Sequence, residues 1–446
     1  MGELFKAPRG TNDLLPPETQ KWAFVEEAIR QKAESFGFQE IRTPIFEHTE
    51  LFSRGIGEGT DITIKEMYTF TDKGGRSITL RPELTAPAVR AYLENYPMPG
   101  TRIVKWFYFG PAFRYERPQS GRYRQFHQFG IEAIGSKNPD VDLEVILLAL
   151  EIFKSLNLQN LEIKLNSIGC SKCRPSYREA LKKYFSPYLE QLCEDCKTHR
   201  YEKNPLRILD CKSQKCAPFL HEAPIPADYL CEECQTHFEK LKKRLRDLQI
   251  SYSLDPRLVR GLDYYTKTVF EVISSVLGAQ NSVCGGGRYD DLGEILGGPP
   301  VPAVGFAAGM ERLILLLKDN LTGGEKTPLV YVVTLGEKAE ELMVPLIFNL
   351  RKEAGGRKMK LQIERDYQNR NLSQQLREAN KLGAEFALIL GENELAENKL
   401  ILRNLAARQQ EDLFFKDSEN PRGILEDLSS RILEKINYGK QPLYSH

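Results

Sequence analysis

Apolar residues recur at helical spacing in several stretches of the chain. In the first, Trp22, Val25 and Ile29 fall on one stripe, and Gly37 ends the pattern. The helices predicted in this way cover residues 18–36, 140–156, 177–192, 232–248, 304–317, 340–354 and 371–382, with others beginning near Thr85 and close to the C-terminus.

Shorter apolar runs between these helices predict strands. Residues 40–47, EIRTPIFE, contain Pro44, and a proline inside a strand indicates an edge or a break. Residues 55–62, GIGEGTDI, are rich in glycine and predict a flexible loop. The other predicted strands of this part of the chain cover residues 67–72, 77–81, 163–167, 266–273 and 281–287, with one near Tyr252.

The central pattern of the chain spans residues 107–135. Two aromatic-rich extended runs, residues 106–114 and 124–134, flank a polar loop and predict an antiparallel hairpin. Gln128 and Glu132 are four residues apart, so the two-residue period of a strand puts both side chains on one face.

Beyond a polar, glycine-containing linker at residues 322–328, apolar strands alternate with helices. The strands are predicted at residues 329–335, 360–364 and 386–391. This alternation predicts a small α/β domain.

The length and composition of the chain restrict the classes of protein to which it can belong. At 446 residues the chain is long enough for two or three domains, and its 41% hydrophobic and 28% charged residues fit a soluble globular protein. The first residues lack the apolar core of a signal peptide, and no run of about 18 apolar residues could span a membrane. We therefore expect a cytoplasmic protein without a membrane partner.

Arginines are concentrated on the predicted hairpin, where Arg114, Arg122 and Arg124 lie close to its loop. Guanidinium groups bind phosphate through paired N–H donors, so this pattern predicts a polyphosphate ligand. The alternative is a solvated strand face on which charges alternate. A net charge of +1 argues against a protein that binds nucleic acid mainly through its overall charge, but it does not exclude binding through local basic patches.

Eight of the nine cysteines form four close pairs in one stretch of the chain. In a reducing compartment such pairs indicate metal binding, since their spacing lets two thiolates bind one tetrahedral Zn²⁺ ion. We predict two structural zinc sites, formed either by neighbouring pairs or by an outer set that closes the base of an insertion around an inner set. Reduced cysteines packed in a small module are the alternative. The pairs are Cys170 with Cys173, Cys193 with Cys196, Cys211 with Cys216, and Cys231 with Cys234.

Five segments together resemble the class II aminoacyl-tRNA synthetases, and specifically the histidyl-tRNA synthetase family, over essentially the whole chain. EIRTPIFE is similar to class motif 1, FRYERPQSGRYRQFHQFGIE at residues 113–132 to motif 2, and VGFAAGMERLILLL at residues 304–317 to motif 3. RGLDYYTKTVFE at residues 260–271 and GGGRYDDL at residues 285–292 are similar to the histidine-specific signatures of the family.

The resemblance implies an α+β fold, in which an antiparallel sheet with flanking helices is interrupted by a cysteine-rich insertion and followed by an α/β anticodon-binding domain. The catalytic domain would comprise residues 1–169 and 251–321, the insertion residues 170–250, and the anticodon-binding domain residues 328–446. The implied reaction is activation of L-histidine by ATP, supplied with Mg²⁺, to histidyl-adenylate, followed by transfer to the 3′ end of tRNA(His). The implied assembly is a homodimer formed through the motif 1 region.

The positions matched for ATP are Arg114 at the α-phosphate, Arg312 at the γ-phosphate, Arg122 near the pyrophosphate, and Glu116 near the adenine or the metal. Arg260 matches a distinctive arginine that supplies charge near the α-phosphate, which related enzymes obtain from a metal ion. Fixed positive charge suits displacement at a phosphorus atom. Without the resemblance, Arg260 is an ordinary turn residue.

The amino acid has its own requirements, since an α-ammonium group needs a carboxylate and a hydroxyl, and an imidazole presents two nitrogens. The positions matched for histidine are Glu83, Thr85 and Gln128 around the α-amino group, Glu132 and Tyr265 at the imidazole nitrogens, and Tyr289 in the pocket wall. Taken alone, Glu83 is a helix-start carboxylate and Tyr265 a core aromatic.

Two alternative functions remain. The first is the non-catalytic, synthetase-like regulatory subunit of ATP phosphoribosyltransferase, which senses histidine. The phosphate-facing arginines and the C-terminal domain, which that paralogue usually lacks, favour the ligase. The second is a zinc-dependent nucleic-acid-binding protein that reads its target with the cysteine module.

Overall fold

The structure is a computed structural model that describes residues 4–57, 60–96, 102–116, 118, 121–274, 282–317, 327–415 and 421–438. The chain divides into two units, Met1–Thr322 and Gly323–His446. Most of the predicted linker at residues 322–328 falls outside the described residues, as does part of the predicted glycine-rich loop. Among the helices described, none is long and apolar enough to cross a membrane.

The first unit contains a large mixed sheet and a small one. Over its described residues, the strands are β1 Gln39–Glu40, β2 Phe46–His48, β3 Tyr68–Thr71, β4 Ser77–Leu80, β5 Val104–Phe113, β6 Gln125–Ile134, β7 Leu161–Ser167, β8 Ser253–Leu254, β9 Thr266–Ser274, β10 Ser282–Arg288 and β11 Ala303–Gly309. The large sheet has the order β1-β5-β6-β11-β10-β9-β7-β8, and β2, β4 and β3 form the small one. The inner pairs of the large sheet are antiparallel, and only its edge strands β1 and β8 pair in parallel.

Helices surround this sheet and build the insertion between β7 and β8. The described α-helices are α1 Glu18–Ser35, α2 Thr49–Ile56, α3 Thr85–Asn95, α4 Pro139–Ser155, α5 Arg174–Phe185, α6 Tyr201–Lys203, α7 Ala217–Leu220, α8 Glu232–Asp247, α9 Leu292–Ile295 and α10 Met310–Leu317. Short 3₁₀ turns occur at Ser186–Gln191, Pro205–Ile208 and Pro226–Tyr229, and π-helical turns at Ile62–Glu66 and Cys196–Arg200.

The two faces of the large sheet have different neighbours. Apolar side chains of α1, α4, α8 and α10 pack on one face, where the predicted stripe of Trp22, Val25 and Ile29 is buried. Phe107 and Phe129 point into this core, so the residues that alternate with them on β5 and β6 face the opposite side. The predicted hairpin is confirmed as β5 and β6, and the functional side chains considered below lie on its free face.

The helix predicted over residues 304–317 is wrong in its first half. Residues Ala303–Gly309 form the central strand β11, and the helix begins only at Met310. Strand β11 is buried between β6 and β10, with Phe306 and Ala308 in the core. A strand buried on both faces is a continuous apolar run, which periodicity does not separate from a buried helix.

The residues around Pro44 form two short strands with a break between them, as predicted. Strand β1 joins the large sheet and β2 joins the small one. Arg81 links the two sheets because its guanidinium donates to Pro111 O at 2.8 Å and to Thr43 O at 2.9 Å. Helix α2 was not predicted, since the glycine-rich pattern at its end suggested a loop.

The second unit is an α/β domain. Its described strands are β12 Leu329–Thr334, β13 Gln362–Arg365, β14 Phe386–Leu390, β15 Lys399–Asn404 and β16 Gln409–Phe414, and its helices are α11 Glu337–Gly356, α12 Leu372–Lys381, α13 Glu392–Ala396 and α14 Pro421–Tyr438. The sheet order is β13-β12-β14-β15-β16, with the first three strands parallel and the last two antiparallel to their neighbours. The three predicted strands are confirmed, whereas β15 and β16 were not predicted.

A buried ionic cluster connects three parts of the first unit. Arg288, at the end of β10, pairs with Asp142 of α4, and neither side chain is exposed. Asp142 also contacts His237 of α8 at 3.1 Å, and Arg288 contacts Asp290 at 3.0 Å. Burial alone would raise the pKa of the Asp142 carboxyl, but Arg288 and His237 outweigh it and hold that pKa below its usual range.

We expect Asp142→Asn to destabilise the first unit by about 3–5 kcal/mol, since it removes the fully buried counter-charge of the Arg288 guanidinium and leaves only the pairing with Asp290. The matched control is Asp140→Asn on the same helix, whose carboxylate is half exposed and contacts Arg244 at 3.1 Å. Because the chain has two units, thermal unfolding should be followed by calorimetry, which separates transitions. Equal melting temperatures for the two variants would contradict the role assigned to this cluster.

Candidate active site

A cavity of about 660 Å³ opens on the face of the large sheet that α1 and α4 leave free. Its walls come from the β5–β6 hairpin, the start of α3, residues 257–265, strands β9 to β11, and α10. The predicted site residues that line it are Glu83, Thr85, Arg114, Glu116, Arg122, Gln128, Arg260, Tyr265 and Arg312. Cys211 of the insertion lines it as well.

Glu132 is buried beside this cavity within a cluster of hydroxyl groups. Its carboxylate accepts a hydrogen bond from Tyr108 at 2.8 Å and another from the predicted pocket residue Tyr289. Burial raises the pKa of Glu132 to about 7, although the bonds from Tyr289, Thr85 and Tyr108 oppose the shift. The site therefore holds a carboxyl that ionises near neutral pH.

Glycines on neighbouring strands make room for this cluster. Gly305 of β11 is the register partner of Glu132, and a Cβ atom there would overlap the Glu132 carboxylate. Gly130 of β6 is the register partner of Tyr108, and a Cβ atom there would overlap the Tyr108 hydroxyl. Tyr108 was not among the predicted site residues, although the register of the two hairpin arms places it opposite Gly130 and so beside Glu132.

Glu83 and Thr85 lie at the start of α3. The Glu83 carboxylate accepts from the backbone N–H groups of Thr85 at 2.6 Å and Ala86 at 2.9 Å, which caps the helix. Burial raises the pKa of Glu83, and these bonds oppose the shift. On the facing strand, the side-chain oxygen of Gln128 is buried without a hydrogen-bond partner among the described residues.

Three arginines, Arg114, Arg122 and Arg312, contribute positive charge to the cavity wall. Arg114 donates through Nε to Pro82 O at 2.8 Å and lies 5.3 Å from the centre of the Phe126 ring. Arg122 pairs with Glu116 at 3.1 Å. Burial lowers the pKa of Arg312, and the neighbouring Arg122 lowers it further. Two arginines that repel each other at a cavity wall favour an anionic ligand.

Helix α10 is held in place next to this charge. Glu311 accepts a hydrogen bond from His127 N at 2.8 Å, and its carboxylate lies 3.0 Å from His127 Nδ1. Arg312, the next residue, donates to Ser282 O at 3.2 Å. Glu311 was not among the predicted site residues, because its partner is distant in the chain.

Arg260 reaches the cavity between the sheet and the insertion. Its guanidinium donates to Glu271 at 3.0 Å and lies 6.0 Å from the centre of the Tyr265 ring. Its Nε is buried and unpartnered within the described ranges. A Cβ atom on Gly285 would overlap this guanidinium, so a glycine at that position admits Arg260 to the cavity. Glu271 is a further site residue that the sequence analysis did not name.

The eight paired cysteines come together in two groups of four within the insertion. Cys170, Cys173, Cys231 and Cys234 form an outer set, and Cys193, Cys196, Cys211 and Cys216 form an inner set. All four sulfurs of each set lie within 4.8 Å of one another. The spacing of the cysteines left two groupings open, either neighbouring pairs or an outer set around an inner set, and the structure has the second.

Sulfur separations within the sets match the geometry of a tetrahedral metal site. They are 3.7 Å for Cys170 and Cys173, 3.6 Å for Cys173 and Cys234, and 3.7 Å for Cys193 and Cys211. Zn–S bonds of about 2.3 Å in a tetrahedron separate the sulfurs by about 3.8 Å. Either set could therefore hold one such ion without rearrangement of the backbone.

Comparison with known proteins gives a consistent family match. Residues 10–313 match the family model described as histidyl-tRNA synthetase, and residues 329–420 match the model described as anticodon binding domain. The chain is 53% identical over 409 residues to the histidine–tRNA ligase of Pelotomaculum thermopropionicum, covering 91% of this chain and 95% of that protein. It is 49% identical to the histidine–tRNA ligase of Caldanaerobacter subterraneus, covering 93% and 99%. The crystal structure of apo histidyl-tRNA synthetase from S. aureus superimposes with a TM-score of 0.77 at 37% identity, covering 96% of this chain and 99% of that one.

We expect Glu132→Gln to stabilise the protein at about pH 8 and to have little effect at about pH 5. Because folding raises the pKa of this carboxyl from 4.5 to about 7, its protonation stabilises the folded state at low pH, and that contribution is lost as the pH rises through about 7. The shift corresponds to at most about 3 kcal/mol. Melting temperatures across this pH range test it, with Glu50→Gln as an exposed control. A difference independent of pH would contradict it.

Proposed function

The chain belongs to the histidyl-tRNA synthetase family and is a histidine–tRNA ligase, and from this premise we propose how the residues of its cavity carry out the reaction. The large sheet and its flanking helices form the class II synthetase fold. The enzyme activates L-histidine with ATP to histidyl-adenylate and then transfers histidine to the 3′ end of tRNA. The observation that carries the assignment of roles is that Arg114, Arg122 and Arg312 line one cavity and that a buried carboxylate, Glu132, lies beside it.

ATP, supplied with Mg²⁺, binds at these three arginines. In this proposal Arg114 contacts the α-phosphate, Arg312 the γ-phosphate and Arg122 the pyrophosphate, and Glu116 lies near the adenine or the metal. The mutual repulsion of Arg122 and Arg312 supports an anionic ligand between them, since a polyphosphate would neutralise both. Each arginine has a short contact that orients its side chain before ATP binds.

Arg260 stabilises the charge that develops when the histidine carboxylate attacks the α-phosphate. Its pairing with Glu271 fixes the guanidinium, and its unpartnered Nε leaves one N–H available to a ligand. A preorganised donor of this kind stabilises the transition state more than the ground state. Transfer to tRNA needs no assigned protein base, because the phosphate of the adenylate accepts the proton of the ribose hydroxyl.

Histidine binds beside the buried carboxylate. Glu132 accepts from one imidazole nitrogen and Tyr265 contacts the other, while Tyr289 completes the pocket wall. Glu83, Thr85 and Gln128 surround the α-ammonium group, and the unpartnered Gln128 oxygen supports this because it would accept one of the ammonium hydrogens. A carboxyl that ionises near neutral pH suits an imidazole, which titrates in the same range.

The proposed partners follow from the two units. The second unit would bind the anticodon of tRNA(His), and the first would form a homodimer through residues 40–47. Exposed Ile45 and Phe46 support this dimer interface, because large apolar side chains on a sheet edge are suited to burial by a partner. We also propose that the protein acts in the cytoplasm.

Histidine-dependent ATP–pyrophosphate exchange, followed by charging of tRNA(His), tests the complete assignment. The regulatory-subunit alternative predicts histidine binding without exchange. We expect exchange to require histidine and to stop when histidine is replaced by other amino acids.

We expect Arg260→Ala to lower the rate of exchange about 10²–10³-fold, as removal of one oriented transition-state donor does elsewhere. Histidine affinity measured by calorimetry should change little, because Arg260 is assigned to the α-phosphate and not to the imidazole. Arg76→Ala, in the exposed turn between β3 and β4, serves as the control. Normal exchange in the Arg260 variant would refute the assigned role.

We also propose one structural Zn²⁺ ion at each cysteine set, held by four thiolates and taking no part in the chemistry. We expect about two zinc ions per chain in protein purified without chelators, and a lower melting temperature after removal of the metal, since binding to the folded state stabilises it. Elemental analysis and calorimetry measure both. Folded protein that contains no stoichiometric zinc would refute the proposal.

A further inference from the structure

Residues 204–212 of the insertion form part of the cavity wall. Leu209, Asp210, Cys211 and Lys212 line the same cavity as Arg260 and Arg312. Cys211 is also a member of the inner cysteine set. One residue therefore belongs both to the candidate metal site and to the wall of the substrate cavity.

The same segment is bonded to the loop that carries Arg260. Asn204 Nδ2 donates to Asp263 Oδ1 at 2.9 Å, and Arg207 donates to the backbone oxygen of Gly261 at 3.5 Å. Asp263 is anchored on its other side, since its backbone N–H donates to Ile56 O at 3.0 Å. Residues 260–263 are thus held between α2 and the insertion.

Little regular secondary structure supports residues 204–212. They contain one short 3₁₀ turn, Pro205–Ile208, and join no strand. Leu206, Ile208 and Leu209 are buried in a hydrophobic cluster with residues of α5. The segment is also connected to the inner cysteine set through Cys211 and to Arg200, which donates to Arg207 O at 2.9 Å and pairs with Asp195 at 2.6 Å. Asp195 precedes Cys196 in the chain, so the contacts of Arg200 also connect residues 204–212 to the inner cysteine set.

We infer that the inner cysteine set is a positioning site for the substrate cavity. Metal bound to its four thiolates fixes residues 204–212, and Asn204 and Arg207 then hold the loop of Arg260 in the position for ATP activation. Substrate activation thus depends on metal at a site that takes no part in the chemistry. This inference rests on the proposed function for its activity readout, but its structural claim stands independently.

The outer cysteine set provides the contrast. None of its four cysteines is among the described residues that line the cavity. It lies where the chain leaves β7 and where α8 begins, at the base of the insertion. Arg174, which follows Cys173, donates to the backbone oxygen of Asp263 at 3.5 Å, so the outer set is also connected to the loop of Arg260. The inner set is connected to that loop through Asn204 and Arg207 and in addition contributes Cys211 to the cavity wall, so metal at the inner set should affect the cavity more than metal at the outer set does.

The test compares Cys193→Ser with Cys193→His in the full-length protein. Cys193 is an inner ligand that does not line the cavity, and histidine retains the capacity to bind zinc. We expect the serine variant to hold about one zinc ion per chain, to lose amide hydrogen-exchange protection in residues 257–265, and to show at least a tenfold lower kcat/KM for pyrophosphate exchange. The histidine variant should restore all three. Cys231→Ser should also lose one zinc ion but keep more of the protection of residues 257–265 than Cys193→Ser does.

A second variant separates the metal from the contact that it supports. Asn204→Ala keeps all eight thiolates and should hold about two zinc ions, yet it should lose protection in residues 257–265 and lower kcat/KM. Unchanged protection in a Cys193→Ser protein that has lost one zinc ion would overturn the inference. If wild-type protein shows no pyrophosphate exchange while Cys193→Ser still loses that protection, the proposed function fails and the positioning role stands.

Discussion

One buried ion pair connects the separate parts of the chain that build the catalytic unit. Arg288 and Asp142 are fully buried, and an ion pair in such a position persists only when each charge is compensated. Asp142 belongs to α4 in the first half of the unit, its partner His237 to the insertion, and Arg288 to the second half. The next residue, Tyr289, points away from this cluster and donates to Glu132. The position of the carboxylate at the floor of the cavity thus depends on a contact on the other face of the sheet.

Local patterns predicted the elements whose residues are close together in the chain. The aromatic arms of the hairpin, the stripe on α1 and the break at Pro44 each follow from a few neighbouring residues, and the structure contains all three. Strand β11 was mistaken for a helix because it is central in the sheet and apolar throughout. Strands β15 and β16 were missed because they follow one another with no helix between them, whereas the predicted pattern was an alternation of strands and helices.

The residues of the candidate site likewise fall into those that the sequence predicted and those that it did not. Motif resemblance identified side chains that line the cavity or lie directly beside it, but not the residues that hold them there. Glu271 and Glu311 have partners set by contacts between different elements, and no local pattern encodes such distances, whereas the position of Tyr108 beside Glu132 follows from the register of the predicted hairpin. The spacing of the cysteines likewise left their grouping open, because the fold of the insertion determines which pairs meet.

The catalytic sheet is assembled from two widely separated parts of the chain, and this has a consequence for folding. Strand β6 pairs with β11, so Ile134 is bonded across the sheet to the strand that begins at Ala303. During synthesis β5 and β6 leave the ribosome as a hairpin in which the edge of β6 is exposed, and the whole insertion follows before β11, the neighbour of β6, is made. Pairing over such a distance in the chain slows folding and exposes an edge to aggregation. An insertion that folds early around its own cysteine sets would bring β7 and β8 together and shorten the remaining loop that the chain must close.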